Sequence, residues 1–475
     1  MRALLSSLPL MFLVACSKPK PTGDAARELV PSASASAAPV EAPPIALPTA
    51  IAPAASSGIT APPTCLERSQ KVWAKNPNKL TGLSVAELRD GRVAVGLAIG
   101  NTPHVLVVGS DGQGSLKKVA VAGRLAKEPS RAEGVRHIMR VTPVKVDGGE
   151  MHAFVDYHDE LKDGRRVVAC GPGEREDPWM GFSGVSLYEQ KETDRPTGDE
   201  LAARFKTKSP DGKERYREVR DCRTFVGPDA GESWIVGSEL RGELEGAKPA
   251  WSMHLVAVDK ASRGSERTLH ETAVKDGLAK PTTYEVPQSA RLADGSYVVV
   301  ARRGAQLLAT LTNADKTKKG DVRAYDGFPT VADIAEDGDD VVVSVAFGRA
   351  KGQYDMRAMR LVGKSPELPK RVTKVALDDD DEDSEVDPDF TRDSRGRRWL
   401  SYIDGERGKG HLVIGAIDAN FRVIGRPYAV TEGDERASEA RLVPIKDGAI
   451  LVAYIRDLGG GTELVTEDLV CSVSK

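Results

Sequence analysis

The sequence predicts an all-β fold, a β-propeller with seven blades, and two observations lead to this prediction. Runs that alternate apolar and polar residues recur along residues 65–475, without long helical periodicities. Seven of these runs end in Asp-Gly or a close variant and precede a second run rich in Val, Ile and aromatic residues. Asp-Gly between two such runs indicates a hairpin, because both residues tolerate the positive φ of a tight turn.

The seven turns are spaced at about the length of one propeller blade. Their aspartates follow one another at intervals of 57, 82, 65, 43, 56 and 54 residues, which fits four short strands plus loops. Six or eight blades are near alternatives, and an array of β-sandwiches would show hairpins placed less regularly. The turns are Asp90-Gly91, Asp147-Gly148, Asp229-Ala230-Gly231, Asp294-Gly295, Asp337-Gly338, Asp393-Ser394-Arg395-Gly396 and Asp447-Gly448.

The third turn carries a resemblance to a known motif. Gly227-Pro228-Asp229-Ala230-Gly231-Glu232-Ser233-Trp234 resembles the Asp-box of sialidase-like propellers, Ser-x-Asp-x-Gly-x-x-Trp, with Gly227 in place of Ser. Residues 391–399 are similar but one residue longer. An Asp-box is a structural hairpin turn remote from any active site, so the resemblance implies structural roles for Asp229, Gly231 and Trp234 and no sialidase chemistry.

The N-terminus has the form of a signal peptide, residues 1–15. Arg2 supplies a positive charge, and the apolar run Ala3–Val14 is shorter than the roughly 20 residues that a membrane-spanning helix needs. Leu13-Val14-Ala15-Cys16 resembles the bacterial lipobox, which implies a lipid on Cys16. Ser17 in the next position implies the outer membrane rather than the inner one. An ordinary secretory signal with an incidental cysteine is the alternative.

Residues 16–64 are predicted to be a disordered tether between the lipid and the body, residues 65–475. The stretch Ser17–Thr64 holds ten of the 29 prolines of the chain and no aromatic residue. Such a composition cannot bury enough apolar surface to offset the entropy of ordering. As a flexible coil the tether would span about 40 Å, and as extended polyproline II about 150 Å.

Four cysteines remain once the lipid-bearing one is set aside, and an even number in an exported chain indicates disulfides. Three pairings are possible, of which positions favour Cys170 with Cys222 and Cys65 with Cys471. The first bridge would clip a long insertion. The second would lock the ring at its closure, where Leu66–Trp73 could supply the fourth strand of the last blade.

The charge balance excludes nucleic acid as a partner. The chain has 67 basic and 70 acidic residues, and no basic stripe is interleaved with aromatic side chains. The acidic run at 378–389 offers carboxylate oxygens to Ca²⁺, but it lacks the glycine of an EF-hand loop. A solvated loop between blades is therefore favoured over a cation site.

Catalytic motifs are not seen in the sequence. It contains no His-Glu-x-x-His, Cys-x-x-Cys, Gly-x-Ser-x-Gly, phosphate loop or dinucleotide fingerprint, and no cofactor is expected. If residues 150–158 form a strand, His152, Asp156 and His158 share one face and could bind Zn²⁺. The polar side of an ordinary strand is the favoured interpretation, and no metal site is predicted.

These observations favour a monomeric cell-envelope lipoprotein that is tethered to the membrane and acts as a binding or scaffold module. Its partner would be an envelope protein or a glycan. The alternative is a hydrolase or lyase of envelope or extracellular glycans, for which a glycosidase needs two carboxylates about 5–10 Å apart. Convergent buried Asp, Glu or Arg side chains at the channel would favour the enzyme, and an ordinary polar channel would favour binding. A structural envelope protein without a ligand is a third possibility.

The lipid hypothesis is tested by Cys16→Ala, which removes the acylated thiol. We expect the variant to move from the membrane fraction to the soluble fraction, as measured by cell fractionation and immunoblotting, because a tether without lipid has no membrane affinity. Ser17→Ala is the matched control and stays with the membrane. Retention of Cys16→Ala in the membrane fraction would show that the lipid assignment is wrong.

Overall fold

The computed structural model describes the chain in segments, all of which belong to one unit, Ser57–Lys475. The described residues are 64–77, 79–88, 90–121, 129–145, 150–171, 182–186, 206–208, 214–226, 233–245, 248–259, 266–273, 284–304, 306–326, 333–337, 340–350, 353–362, 367–370, 374–376, 385–405, 409–418, 421 and 423–472. Cys16, Asp229, Gly231 and residues 378–384 lie outside them. In these segments no helix is long and apolar enough to cross a bilayer.

The described strands form seven antiparallel sheets, here called blades 1–7. Blade 1 contains β2 (Leu80–Glu87), β3 (Val93–Ile99), β4 (Thr102–Val108) and β5 (Gly114–Lys118). Blade 2 contains β7 (Gly134–Lys145), β8 (Met151–Leu161), β9 (Arg166–Cys170) and β10 (Phe182–Ser186), with β6 (Ala120–Val121) parallel to β8. Blade 3 contains β11 (Lys206–Lys208), β12 (Glu214–Val226), β13 (Ser233–Glu245), β14 (Lys248–Asp259) and β15 (Glu266–Ala273).

The second half of the ring repeats the four-stranded pattern. Blade 4 contains β16 (Tyr284–Arg291), β17 (Tyr297–Arg303), β18 (Gln306–Thr312) and β19 (Lys318–Asp326). Blade 5 contains β20 (Asp333–Asp337), β21 (Asp340–Ala350), β22 (Gln353–Val362) and β23 (Lys374–Ala376). Blade 6 contains β24 (Glu385–Arg392), β25 (Arg398–Asp404), β26 (His411–Ile417) and β27 (Val423–Ala429). Blade 7 contains β28 (Arg436–Pro444), β29 (Ala449–Asp457), β30 (Thr462–Ser472) and β1 (Thr64–Asn76).

The blades close into a ring through their inner strands. These are β2, β7, β12, β16, β20, β24 and β28, and each contacts the next, with β28 returning to β2. Apolar clusters fill the interfaces between adjacent blades. One example is the cluster in which Leu80 and Leu83 of blade 1 pack against Leu451 and Ile455 of blade 7. The predicted all-β, seven-bladed propeller is therefore confirmed.

In chain order, each predicted turn position lies at or after the end of the inner strand of a blade and precedes the next strand, so one occurs per blade. Residues 147–148, 229–231 and 338 of these turns lie outside the described residues. In blade 4 the N–H of Leu292 donates to the Ser296 carbonyl, and that of Gly295 donates to the Leu292 carbonyl. Only Gly295 has a positive φ there, at 80°, while Asp294 accepts the Ser296 N–H. The expectation of positive φ at both residues is wrong for this turn. It holds at Asp447 and Gly448, with φ of 64° and 71°.

Inner strands carry β-bulges, and these leave backbone N–H groups without a partner inside their own sheet. Leu83 and Val286 lie in such bulges of β2 and β16. In each case a carboxylate of the preceding blade accepts the N–H. Thr224 of β12 and Leu442 of β28, which lie in regularly paired parts of their strands, donate in the same way. The four contacts, here called interblade latches, are Asp156 Oδ2 to Thr224 N (2.9 Å), Asp221 Oδ2 to Val286 N (2.7 Å), Asp389 Oδ2 to Leu442 N (2.5 Å) and Glu439 Oε2 to Leu83 N (2.8 Å).

Two disulfides are present, and they follow the pairing that the sequence favours. Cys65 of β1 bonds to Cys471 of β30, and the two residues lie directly opposite each other in the ladder. The first strand of the body thus completes the last blade, as predicted from Leu66–Trp73. The second disulfide joins Cys170 of β9 to Cys222 of β12 and so connects blades 2 and 3.

The structure corrects the interpretation of the acidic run and of the histidine-bearing strand. Glu385 to Asp389 belong to the inner strand β24 and not to a solvated loop, and Asp389 is a buried latch. The β8 face that carries Asp156 and His158 is buried, so it is not the solvent-facing polar side of an ordinary strand. His152 of the same strand is half-buried and lies beside Glu150.

Replacement of Gly295 by Val tests the turn geometry. A β-branched residue at a φ of 80° is strained even though the nearest atom to an added Cβ, Nη2 of Arg291, is 3.8 Å away. We expect the free energy of unfolding to fall by about 1–3 kcal/mol, measured by urea denaturation. The control is Gly460→Val, where no atom lies within 4 Å of the added Cβ and φ is not positive. Equal effects of both variants would exclude strain as the cause.

Removal of each disulfide tests the closure of the ring. The bridge between Cys65 and Cys471 spans 406 residues, whereas that between Cys170 and Cys222 spans 52. Because the loop entropy of the unfolded chain grows with the logarithm of loop length, we expect Cys65→Ala/Cys471→Ala to lose about 2 kcal/mol more than Cys170→Ala/Cys222→Ala. Urea denaturation measures both. A smaller loss for the first pair would contradict a closing role.

Candidate functional site

A cavity of 230 Å³ lies between blades 2, 3 and 4, against their inner strands. It is built from β7, β8, β9, β12 and β16, so it spans two blade interfaces. Seven of its fourteen lining residues are Arg, Asp or Glu. The lining residues are Met139, Arg140, Asp156, Tyr157, His158, Arg166, Val168, Cys170, Arg220, Asp221, Cys222, Arg223, Glu285 and Val286.

Three bulges place the charged residues at the cavity. The pairing of β7 shifts just before Arg140, that of β12 shifts just before Asp221, and that of β16 shifts after Glu285. A bulge turns side chains away from the regular alternation of a strand. The irregularities of three neighbouring inner strands therefore aim polar groups into one space.

The disulfide between Cys170 and Cys222 forms part of the cavity wall. On β9, Arg166, Val168 and Cys170 alternate along one face and all line the cavity. On β12, Cys222 lies between Asp221 and Arg223. The bridge therefore fixes an arginine of blade 2 relative to an arginine of blade 3.

The carboxylates of the cavity wall are already engaged. Asp156, which is 2 % exposed, accepts the N–H groups of Gly171 and Thr224 and the Thr224 hydroxyl. Asp221 accepts the N–H groups of Cys222 and Val286. Burial raises the pKa of both carboxyl groups, while these hydrogen bonds and nearby arginines oppose the rise.

Glu285, the third carboxylate of the wall, forms an ion pair with Arg302, which lies outside the lining. The charge of Glu285 is thus compensated by an arginine that does not line the cavity. Every carboxylate of the described lining therefore holds the fold together through a hydrogen bond or an ion pair.

Four arginines line the same cavity: Arg140, Arg166, Arg220 and Arg223. Nη2 of Arg220 lies 2.9 Å from Glu218 Oε2, and both side chains are almost fully buried. Nη2 of Arg166 donates to Nδ1 of His158 at 2.8 Å.

His158 adds no positive charge to the wall at neutral pH. Burial, helped by Arg166 and His137, lowers the pKa of its imidazole to about 4. The charge of the lining therefore comes from four guanidinium groups and three engaged carboxylates.

Such a wall is suited to hold an anion. A guanidinium presents its N–H donors in a planar fork that matches carboxylate, phosphate and sulfate oxygens. Asp156 and Asp221 are already engaged by hydrogen bonds from the chain, whereas the arginines supply the positive charge of the wall. The geometry therefore supports recognition of a negatively charged group.

The residues singled out in the sequence lie mostly away from this cavity. Trp234 is 3 % exposed and packs beside Phe225 and Tyr297 in the interface of blades 3 and 4. The turns of Asp294-Gly295 and Asp447-Gly448 are outside the lining, as is the bridge of Cys65 and Cys471. The predicted pair Cys170 and Cys222 belongs to it, as do Asp156 and His158 of the histidine-bearing strand.

Residues 391–399 form hydrogen bonds that fit the resemblance to an Asp-box despite their extra residue. Asp393 Oδ2 accepts the indole N–H of Trp399 at 2.9 Å, and Oδ1 accepts the N–H groups of Arg395 and Arg397. The side chain of Arg397 donates to the carbonyls of Gly448 and Cys471 in blade 7. This turn is structural and remote from the cavity.

Sequence reasoning missed the four arginines, although a signal for them exists. Arg166 precedes Cys170 by four residues, and Arg220 and Arg223 flank Cys222. Because the two cysteines were paired from the sequence, that pairing already brings these arginines together. Arg140 could not be found in this way, because only the strand register places it opposite Asp156.

No protein-family model and no curated protein matches the sequence. Among solved structures, the chain is similar to the NanB sialidase from Streptococcus pneumoniae, with 9% identity and a TM-score of 0.41, over 86% of this chain and 70% of that one. It is similar to the intramolecular trans-sialidase from Ruminococcus gnavus, with 11% identity and a TM-score of 0.40, over 82% and 94% of the two chains. A protein of unknown function from Dyadobacter fermentans has 11% identity and a TM-score of 0.37, over 86% and 99%. These similarities assign no functional residue to this chain.

Proposed function

We propose that the protein is an exported, lipid-anchored binding module of the cell envelope whose cavity takes an anionic group. The observation that carries the proposal is the convergence of Arg140, Arg166, Arg220 and Arg223 on one cavity. The anchor at Cys16 and an outer-membrane location are parts of the proposal that rest on the sequence alone.

The ligand class follows from guanidinium chemistry and from the size of the cavity. Arginine forks bind carboxylate, phosphate and sulfate in a bidentate manner, and they do so strongly where water is excluded. Small-molecule pockets commonly measure about 300–1,000 Å³, so a cavity of 230 Å³ takes one charged group or a small acid. An acidic sugar, free or at the end of a glycan, combines these properties.

A glycan hydrolase or lyase is the second candidate. The cavity does contain convergent buried Asp and Arg side chains, the feature that the sequence analysis associated with an enzyme. However, Asp156 and Asp221 each accept at least two hydrogen bonds from the chain. A carboxylate that holds two blades together is poorly placed to attack a substrate or transfer a proton to it, and binding is the function that this geometry favours.

Titration with small acids tests the binding site. We expect the purified chain to bind glucuronate or inorganic phosphate by isothermal titration calorimetry and to ignore neutral glucose. Arg223→Gln removes one half-buried fork, and loss of a charged hydrogen bond of about 1.5–3 kcal/mol weakens binding about 10–100-fold. Arg223→Lys keeps the charge but not the fork and gives an intermediate affinity.

The matched control is Arg92→Gln, which removes an exposed arginine that pairs with Asp90 in a turn of blade 1. Its affinity for the acids stays at the wild-type value. Equal binding of glucose and glucuronate, or an unchanged affinity of Arg223→Gln, would show that the cavity is not an anion site. Release of reducing ends from acidic glycans, abolished by Asp221→Asn, would establish the hydrolase instead.

A further inference from the structure

A second group of chemically reactive side chains lies beside the cavity, on the exposed ends of β7 and β8. His137 and His158 are directly opposite each other in the antiparallel ladder, and their ring centroids are 4.9 Å apart. Glu160 follows His158 by two residues, so both side chains lie on one face of β8. One nitrogen of each histidine and one oxygen of Glu160 lie within 4.8 Å of one another.

We propose that His137, His158 and Glu160 form a binding site for a transition-metal ion of the Zn²⁺ class. Nε2 of His137 lies 3.4 Å from Glu160 Oε2, and Nε2 of His158 lies 3.3 Å from Glu160 Oε1. Ligands at the usual bond lengths of tetrahedral zinc are about 3.3–3.5 Å apart. Both histidines are thus spaced from Glu160 nearly as a bound ion requires, and the two histidine nitrogens lie within 4.8 Å of each other.

The ligand set selects the kind of ion. Imidazole nitrogens suit Zn²⁺, Co²⁺, Ni²⁺ and Cu²⁺, whereas Ca²⁺ and Mg²⁺ prefer six or more oxygen ligands. Three protein ligands also leave one tetrahedral position for water or for an added anion. The site differs from the zinc hypothesis of the sequence analysis, because Asp156 is a latch and His152 lies outside the cluster.

The proposed metal site is open to solvent on one side and held by buried residues on the other. The side chains of His137 and Glu160 are 44% and 46% exposed, so an ion has a path from solvent. The side chain of His158 is buried, so surrounding residues hold this proposed ligand in a fixed position. Next to it, Asp159 accepts two buried hydrogen bonds from Arg136, at 2.7 and 2.8 Å, which hold β8 against β7.

Arg166 is expected to weaken metal binding at His158, and its replacement therefore tests the proposal. Its Nη2 lies 2.8 Å from Nδ1 and 3.2 Å from Nε2 of His158. A metal on Nε2 requires a proton on Nδ1, and that N–H needs an acceptor, which a guanidinium cannot supply. Arg166 must therefore move aside, which weakens the wild-type site. A glutamine at this position could supply its carbonyl oxygen as the acceptor.

The experiment titrates the full chain, stripped with a chelator, with Zn²⁺ by calorimetry and with Co²⁺ by visible absorption. We expect one equivalent to bind and Co²⁺ to show the intense bands of four-coordination. His137→Ala and Glu160→Gln change exposed side chains, and each weakens Zn²⁺ binding at least about 10-fold, since even indirect partners of a metal contribute that much. We expect Arg166→Gln to strengthen Zn²⁺ binding, because the glutamine carbonyl oxygen can accept the Nδ1–H of His158.

The matched control is His152→Ala, which removes a histidine of the same strand that also lies beside a glutamate, Glu150, at 3.7 Å. It binds Zn²⁺ like the wild type. Binding that survives both His137→Ala and Glu160→Gln, an equal loss in His152→Ala, or the weak spectrum of six-coordinate Co²⁺ would overturn the proposal. No anion is added, so the result is independent of the proposed function.

Discussion

The ring depends on buried carboxylates that accept backbone N–H groups across the boundaries between blades. Two of the donors, Leu83 and Val286, arise from bulges in inner strands, and a buried N–H without a partner costs about as much as a lost hydrogen bond. Asp221 and Glu439 satisfy the donors of Val286 and Leu83 in the blades that follow them. Apolar packing between blades is nondirectional, so at the four boundaries that have latches these hydrogen bonds orient one blade against the next.

The cavity occurs where this arrangement changes. In β12 and β28 the first paired residue after the bulge is a latch carboxylate, Asp221 or Glu439. In β7 the corresponding residue is Arg140. The latch of blade 2 is instead Asp156 on β8, directly opposite Arg140 in the ladder. A covalent bond between blades 2 and 3 supplements the hydrogen bonds there. A cationic lining is thus compatible with a stable interface, because the carboxylate and the disulfide hold the blades.

The sequence was sufficient for the architecture because its strongest local signal occurs once in each repeat. Each Asp-containing turn position lies at or after the end of the inner strand of one blade in chain order, so the number of turns equals the number of blades. The cysteine pairs were also accessible, since their positions at the ends of the body and around one insertion limit the choice. The end of the acidic run was predicted to face solvent because runs of acidic residues usually do, whereas Asp389 is buried and accepts a backbone N–H.

The cavity was not accessible in the same way. Bulges shift the alternation of a strand by one residue, and no residue type marks them reliably, so the direction of Arg140 or Arg220 cannot be derived from the pattern. His137 and Glu160 lie 23 residues apart in the chain, and only the register of β7 with β8 makes them neighbours. Local signals therefore predicted the scaffold, while the sites depend on strand register.

The position of Cys65 has a mechanical consequence. The proposed anchor precedes β1 in the chain, so any pull between membrane and body enters through the outermost strand of blade 7. Strands that are pulled from one end unzip one hydrogen bond at a time, under small forces. Here Cys65 is the second residue of β1 and is bonded covalently to β30, so the load passes into the middle of the sheet before the ladder can peel.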